Sequence, residues 1–391
     1  MIQKNSFKNF LRNRLFILFV ISLIVRILYT SLTEPQSPIK MGEDDAQNYI
    51  GHALAFNDQG LFPKDTKKRY FYKEYKINDP WDIVAPGYPF VIYLFIKISK
   101  NPYVNLYFFQ ALISAFIPLL FFGLLRLFFN KKTSFLFALW AVIYYPYLTY
   151  TSVIMKEVFL FALFPLVILS MLHMSKDRFN WIGIVYCFSF IFLLYLDERF
   201  VIYLIVLPAV QFIILKIRNK IVFAQLIIIL ISLIPWEWHL FNVYNKFRYM
   251  SNRVDSYVKD ELYHGENQKL KDFVFDKIKK SKTNFIRYFS IFRNNWKLHK
   301  NIIVILEFGL LLPFALLSVV YNIKKRNKYI MIFTIVIFVH FCIHLVLWGQ
   351  HRYRYPTDIF IALLCFWALD LLLSNSKIPM VKKIRAQFND Y

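Results

Sequence analysis

The sequence predicts an all-α polytopic membrane protein, a bundle of about ten transmembrane helices with amphipathic helices in two long extracytoplasmic loops. Three observations predict it. Of 391 residues, 58% are hydrophobic and 20% aromatic, with a mean hydropathy of +0.43, more apolar than a soluble domain of this length carries. The apolar residues come in runs of about 17–25 rather than in stripes, the length that a hydrocarbon core about 30 Å thick demands of a helix. Lys and Arg, which bring the formal net charge to +24, gather in short segments between those runs, as membrane topology requires.

Taken in order, the predicted spans are 15–32, 103–129, 134–153, 157–174, 180–196, 200–215, 221–240, 301–321, 329–348 and 356–374. Lys4, Lys8, Arg12 and Arg14 precede the first. Its apolar run is longer than a cleavable signal peptide carries, so a retained helix is expected. With a cytoplasmic N-terminus, Lys131-Lys132, Lys176 and Arg178, the cluster Lys216, Arg218 and Lys220, the group Lys324 to Lys328 and the tail residues Lys382, Lys383 and Arg385 share one side. Short-loop Lys and Arg bias then sets both termini in the cytoplasm, in what reads as a bacterial inner membrane. The other side receives two tight connections, around Lys156-Glu157 and Asp197-Glu198-Arg199, and two long loops. The first, 33–102, holds an acidic pair and an apolar stretch from Pro86 to Ile98 that is too short to span and reads as interfacial or re-entrant. The second, 241–300, is basic, and LKDFVFDKIKKSKTNFIRYF within it reads as amphipathic helix lying on the membrane.

The positive charge has no nucleic-acid signature beside it. Cys187, Cys342 and Cys365 lie singly in apolar runs and read as small buried hydrophobes. Ionisable residues instead collect toward the outer ends of the spans: Asp44, Asp45, Glu157, Asp197, Glu198, Arg199, Glu237, His239, His351, Arg352 and Arg354. A transporter places such groups at the bilayer midplane, repeated in both halves, so the pattern favours chemistry at the outer surface. Asp44 and Asp45 can also be read as acids favouring the start of a surface helix, and Glu157 as a helix-start acid. Lys156 suits either a snorkelling role or a catalytic one. Asp197, Glu198 and Arg199 read as a self-neutralising turn. His340 and His344 share a helix face without a third ligand and read as packed polar groups rather than a metal site. In HRYRYP (351–356), Arg352 and Arg354 offer guanidinium forks suited to phosphate oxygens, or to lipid headgroups.

The order of these features resembles the GT-C membrane glycosyltransferases, in the branch of bacterial aminoarabinose transferases and protein O-mannosyltransferases that use polyprenyl-phosphate sugars. Asp45, Tyr49 and Ala53 match that branch's acid, Tyr at plus four and small residue at plus eight, with Asp44 alongside. Ala85-Pro86-Gly87-Tyr88-Pro89 is similar to its Pro-Gly-Tyr-Pro-like element, and Gln110-Ala111-Leu112 follows. Glu157 corresponds to the acid of the second outer turn, Pro235-Trp236 to the Pro-Trp opening the large loop, and Arg352, Arg354 and Pro356 to an RYxxP-like element. Aminoarabinose transferases have a Lys before the Pro of the second element, where this chain has Ala85.

The resemblance implies a single GT-C-like membrane domain over 1–391 and an inverting transfer from a polyprenyl-phosphate sugar to a glycolipid, polysaccharide or protein acceptor. Asp45 would act as general base, with Tyr49 and Tyr88 in the substrate site. Either Lys156, Arg199 or the pair Arg352 and Arg354 would supply the charge for the donor phosphate, or the donor is held differently. Glu157 would orient the acceptor or bind a divalent cation; no cofactor is otherwise implied. An O-antigen polymerase or ligase, and a transporter of lipid-linked sugar, are the competing readings.

Overall fold

The structure, a computed structural model, describes residues 2–33, 44–63, 71–72, 75–76, 85–244, 302, 305–346 and 351–375. The helices are α1 (Ile2–Leu32), α2 (Asp44–Gln59), α3 (Gly87–Ile98), α4 (Pro102–Ala115), α5 (Ile117–Leu125), α6 (Lys131–Ile143), α7 (Tyr145–Thr149), α8 (Glu157–His173), α9 (Trp181–Leu196), α10 (Tyr203–Ile213), α11 (Asn219–Tyr244), α12 (Leu311–Lys325), α13 (Lys328–Val346) and α14 (Tyr355–Asn375). An antiparallel hairpin pairs Phe71 with Lys76 and Tyr72 with Tyr75 inside the first long loop. Of the second long loop, 245–300 and its expected amphipathic helices lie outside the described residues, as does the basic tail.

The chain is a polytopic membrane protein, but the expectation of ten spans needs correction. Among the described residues five helices are long and apolar enough to cross: Arg14–Leu32, Pro102–Leu125, Asn219–Asn242, Lys328–Leu345 and Tyr355–Leu373. Among the described residues the other runs expected to span are helical too, but their helices are short or interrupted. Apolar helices Glu157–His173, Trp181–Leu196 and Leu311–Ile323 run 10–17 residues, and at 1.5 Å per residue a 16-residue helix reaches only about 24 Å.

The interruptions have local causes. Pro146 has no N–H to offer the Val142 carbonyl four residues back, and its ring crowds that carbonyl, so α6 stops at Ile143. The buried Arg26 guanidinium donates to the freed Val142 carbonyl at 3.3 Å and to that of Ala141 at 3.0 Å. Before α12, Ile305–Gly309 forms a π-turn, in which the Leu310 N–H donates to the Ile305 carbonyl at 3.1 Å. Starts are capped as the sequence allows: the Asn130 side chain accepts from the Thr133 N–H, and that of Asn180 from the Gly183 N–H.

Two compact units emerge. The first comprises Met1–Arg26, Ala115–Leu148 and Val274–Tyr391; within it α5 packs on α6, and α12 on α13 and α14. Its core is aromatic, with Phe137 stacked on Phe366 at 4.3 Å and Phe333 on Phe360 at 5.6 Å. The second comprises Ile27–Ser114 and Thr149–Phe273; there α8 packs on α9, α2 on α3, and α9 on both α3 and α11. Gly87 permits the α3–α9 approach, since a Cβ at that position would lie 2.8 Å from the Tyr195 carbonyl carbon and oxygen. Any side chain would push α3 away from the end of α9.

Candidate active site

The acidic motif falls on α2. Asp45 sits in its first turn, half-buried, where a carboxylate complements the helix dipole. Tyr49 and Ala53 follow at successive turns and are buried, so the spacing of four aligns all three along one face. The side chain of Asp44 lies outside the described residues. Tyr49 packs edge-on against Tyr88 of α3, with ring centroids 5.0 Å apart. Two motifs separated by 39 positions therefore meet in one place, the acidic helix and the Pro-Gly-Tyr-Pro element.

From Tyr88 the network continues inward. Its hydroxyl donates to the Gln110 side-chain oxygen of α4 at 2.5 Å, and it lies within electrostatic reach of Glu157. Glu157 opens α8 and is buried. Its neighbour Lys156 reaches Asp197, with Nζ 3.1 Å from Oδ2. Asp197 caps the end of α9 and is fully enclosed. The Arg199 Nε donates to its Oδ1 at 2.7 Å, a second guanidinium nitrogen to Oδ2, and the Arg199 N–H to Oδ1 at 3.1 Å. Burial alone would push the Asp197 carboxyl up. Arg199 and Lys156, with the hydrogen bonds from Arg199, overcome that and hold it far below the usual carboxylate range. One ionised carboxylate thus holds two cations at the end of α9, next to the helix start that Gly87 lets approach.

Beside these elements lies an apolar cavity of about 370 Å³. Phe56, Phe62, Pro86, Phe188, Phe192 and Trp236 are among its walls, which contribute almost no polar surface.

The HRYRYP arginines belong to the first unit, where each has partners. Arg354 is sealed, its Nε donating to Asp358 Oδ1 at 2.9 Å and its guanidinium 3.5 Å from the centre of the Phe308 ring. The Tyr144 hydroxyl donates to the other Asp358 oxygen at 2.6 Å. Arg352 is half-buried, donates to the Tyr353 hydroxyl at 3.2 Å and lies over that ring. His340 and His344 are packed polar groups: the first shares a 2.7 Å hydrogen bond with the Tyr353 carbonyl, the second stacks on the Tyr353 ring. Among the described residues no group of three His, Cys, Asp or Glu could hold a metal ion.

Sequence reasoning underrated Asp197 and missed Asp358, Arg26 and the partners of Gln110. Asp358 and Arg26 carried an available signal, an ionisable residue inside an apolar run.

No protein-family model matches the chain, and no curated protein matches its sequence. Solved structures do match. The oligosaccharyltransferase AglB of Archaeoglobus fulgidus, in complex with an inhibitory peptide and a dolichol-phosphate, superposes with a TM-score of 0.55 at 15% identity, covering 98% of this chain and 52% of that one. The same organism's enzyme with zinc and sulfate gives 0.56 at 13% identity, over 95% and 51%. Its apo form gives 0.54 at 15%, over 96% and 52%. The chain spans about half the length of these solved relatives. At such identity the likeness is one of fold alone.

Proposed function

We propose that this chain is an inverting membrane glycosyltransferase, moving a sugar from a polyprenyl-phosphate donor to a glycolipid, polysaccharide or protein acceptor at the extracytoplasmic surface. One observation carries the reading. The helix bearing Asp45 and Tyr49 packs through Tyr88 into the network that holds Lys156 and Glu157 beside a two-cation carboxylate. A carboxylate base for proton abstraction, cations for phosphate and an apolar cavity for an isoprenoid chain are the parts such a transfer needs, and the shared fold with an oligosaccharyltransferase solved with a dolichol-phosphate agrees.

Asp45 accepts the proton of the acceptor hydroxyl as its oxygen attacks the anomeric carbon. The new C–O bond forms on the face opposite the breaking bond to phosphate, and polyprenyl phosphate departs with the electron pair. A positioned base contributes about 10²–10⁴-fold. Lys156 and Arg199, held by Asp197, offset the charge gathering on the leaving phosphate. Asp44 adds negative charge beside the base. Glu157 orients the acceptor or binds a divalent cation.

The test is reconstitution. Purified protein in sealed vesicles, given polyprenyl-phosphate hexoses and pentoses with glycolipid, polysaccharide and peptide acceptors, should form a new glycosidic bond and release polyprenyl phosphate. Movement of the lipid-linked sugar across the vesicle with no new bond would identify a transporter. Transfer that survives Asp45→Asn nearly intact would point to polymerase or ligase chemistry.

A further inference from the structure

Gln110 lies within α4, fully enclosed, and its amide is used at both ends. The side-chain oxygen accepts from the Tyr88 hydroxyl at 2.5 Å. The nitrogen donates to the Val153 carbonyl at 2.8 Å and lies 3.3 Å from the carbonyls of Tyr150 and Thr151. Those three carbonyls belong to the turn between α7 and α8. Tyr150–Ser152 is one turn of 3₁₀ helix, and Val153 is extended, with φ −125° and ψ 138°. Three residues after Val153 comes Lys156, and then Glu157 begins α8.

The chemistry selects the side chain. Accepting from a phenol while donating to backbone carbonyls requires a carboxamide, which carries an acceptor and two donors on one planar group. Glutamate at this position would set a carboxylate oxygen against three carbonyl oxygens. Asparagine is one methylene short of the same reach. Methionine keeps the volume and removes every one of these hydrogen bonds. In so enclosed a place the hydrogen bonds are stronger than in water, and losing them costs correspondingly more.

We propose that Gln110 is a positioning residue: it clamps the turn at 150–153 to Tyr88, and so fixes where Lys156 and Glu157 enter the site. It touches no substrate. The Thr30 hydroxyl, 3.0 Å from the Thr151 hydroxyl, steadies the same turn through a side chain, whereas Gln110 holds its backbone. The clamp ties three separated motifs together, since Tyr88 itself packs on the Tyr49 of the acidic helix. The proposal rests on the transferase reading only for what Lys156 and Glu157 handle.

Two measurements test it. Hydrogen–deuterium exchange on the full chain in detergent compares the wild type with Gln110→Met and Tyr88→Phe. Exchange over residues 149–157 should rise about tenfold or more in Gln110→Met, on the order expected for several lost hydrogen bonds, and less in Tyr88→Phe. The middle of α8 and α9 should stay as protected as in the wild type. Unchanged exchange over 149–157, or a rise spread evenly through both helices, overturns the clamp. If Gln110→Met does not accumulate, Tyr88→Phe decides by the same criterion. The second measurement is a cycle of Gln110→Met and Lys156→Met on kcat/KM, in which coupled residues show non-additive losses. The double variant should fall by clearly less than the product of the two single losses, the part of the Gln110→Met loss that acts through Glu157 remaining; losses that multiply in full overturn the proposal. Wild-type protein that transfers no sugar yet shows the local exchange pattern overturns the transferase reading and supports the clamp.

Discussion

Two buried carboxylates in this chain, Asp358 and Asp197, do different work. Asp358 in the first turn of α14 meets one guanidinium, that of Arg354, and one phenol, that of Tyr144. The Arg354 and Asp358 side chains are 1% and 0% exposed, so the pair is charge-balanced and sealed. Asp197 at the end of α9 meets an ammonium and a guanidinium. The side chains of Lys156 and Arg199 stay 9% and 16% exposed. Both keep slightly more exposure than the Arg354–Asp358 pair. A sealed one-to-one pair is an element of architecture; under the proposed function the two cations on Asp197 meet the donor phosphate.

The largest expected effect breaks the sealed pair. Asp358→Asn leaves a buried guanidinium uncompensated and should cost about 3–5 kcal/mol, read from thermal unfolding in detergent. Replacing both partners, Arg354→Met with Asp358→Leu, should recover most of that loss, because apolar pairs of similar volume often match buried ion pairs. A double variant no better than the single one would mean that the pair has a role beyond architecture.

Asp197→Asn should cost less, about 2–4 kcal/mol, since its cations can turn toward water. The pH dependence is specific. The carboxyl of Asp197 is held below its ordinary range when folded, so its contribution is complete above about pH 5, beyond the unfolded pKa near 3.9. It is lost as pH falls below that value toward the lower folded one. The wild type should therefore lose stability relative to Asp197→Asn as pH drops below about 4, with the gap constant from pH 5 to 8. A gap that changes near neutrality would contradict an ionised anchor.

Gly87→Ala comes next. A Cβ 2.8 Å from the Tyr195 carbonyl must displace backbone, at about 1–3 kcal/mol, and should lower activity by shifting Tyr88. Smallest in stability is Lys156→Met, about 1 kcal/mol, because Asp197 keeps Arg199. Its effect on activity should be large, about 10²-fold in kcat/KM. Small loss of stability with large loss of activity separates the open cluster from the sealed one.

The membrane class was legible in the apolar runs, and so was helix among the described residues of each expected span. Span length was not. Tyr144, Pro146 and the π-turn at Ile305–Gly309 break helices inside runs that hydropathy treats as continuous. The Asp45, Tyr49 and Tyr88 grouping was readable as ordered motifs, because spacing of four places residues on one helix face. Their meeting point was not, since the Tyr49–Tyr88 contact is made by the packing of α2 on α3. Composition also could not tell that Arg354 spends its charge on Asp358 while Lys156 shares an anchor, because both are cations at the end of an apolar run. Pairing is a tertiary fact. Arg26 shows the same limit: besides Ser22, it meets two carbonyls at the end of α6, more than 110 positions later.

The most direct test of the account is sugar transfer by purified protein carrying Asp45→Asn, a change that keeps the shape of the side chain and removes the base. With polyprenyl-phosphate sugar and acceptor supplied, the account predicts robust transfer by the wild type. It predicts about a 10²–10⁴-fold lower kcat in the variant, with a loss of stability no larger than one helix-dipole contact, about 0.3–1 kcal/mol. Transfer by Asp45→Asn within a few-fold of the wild type would contradict it.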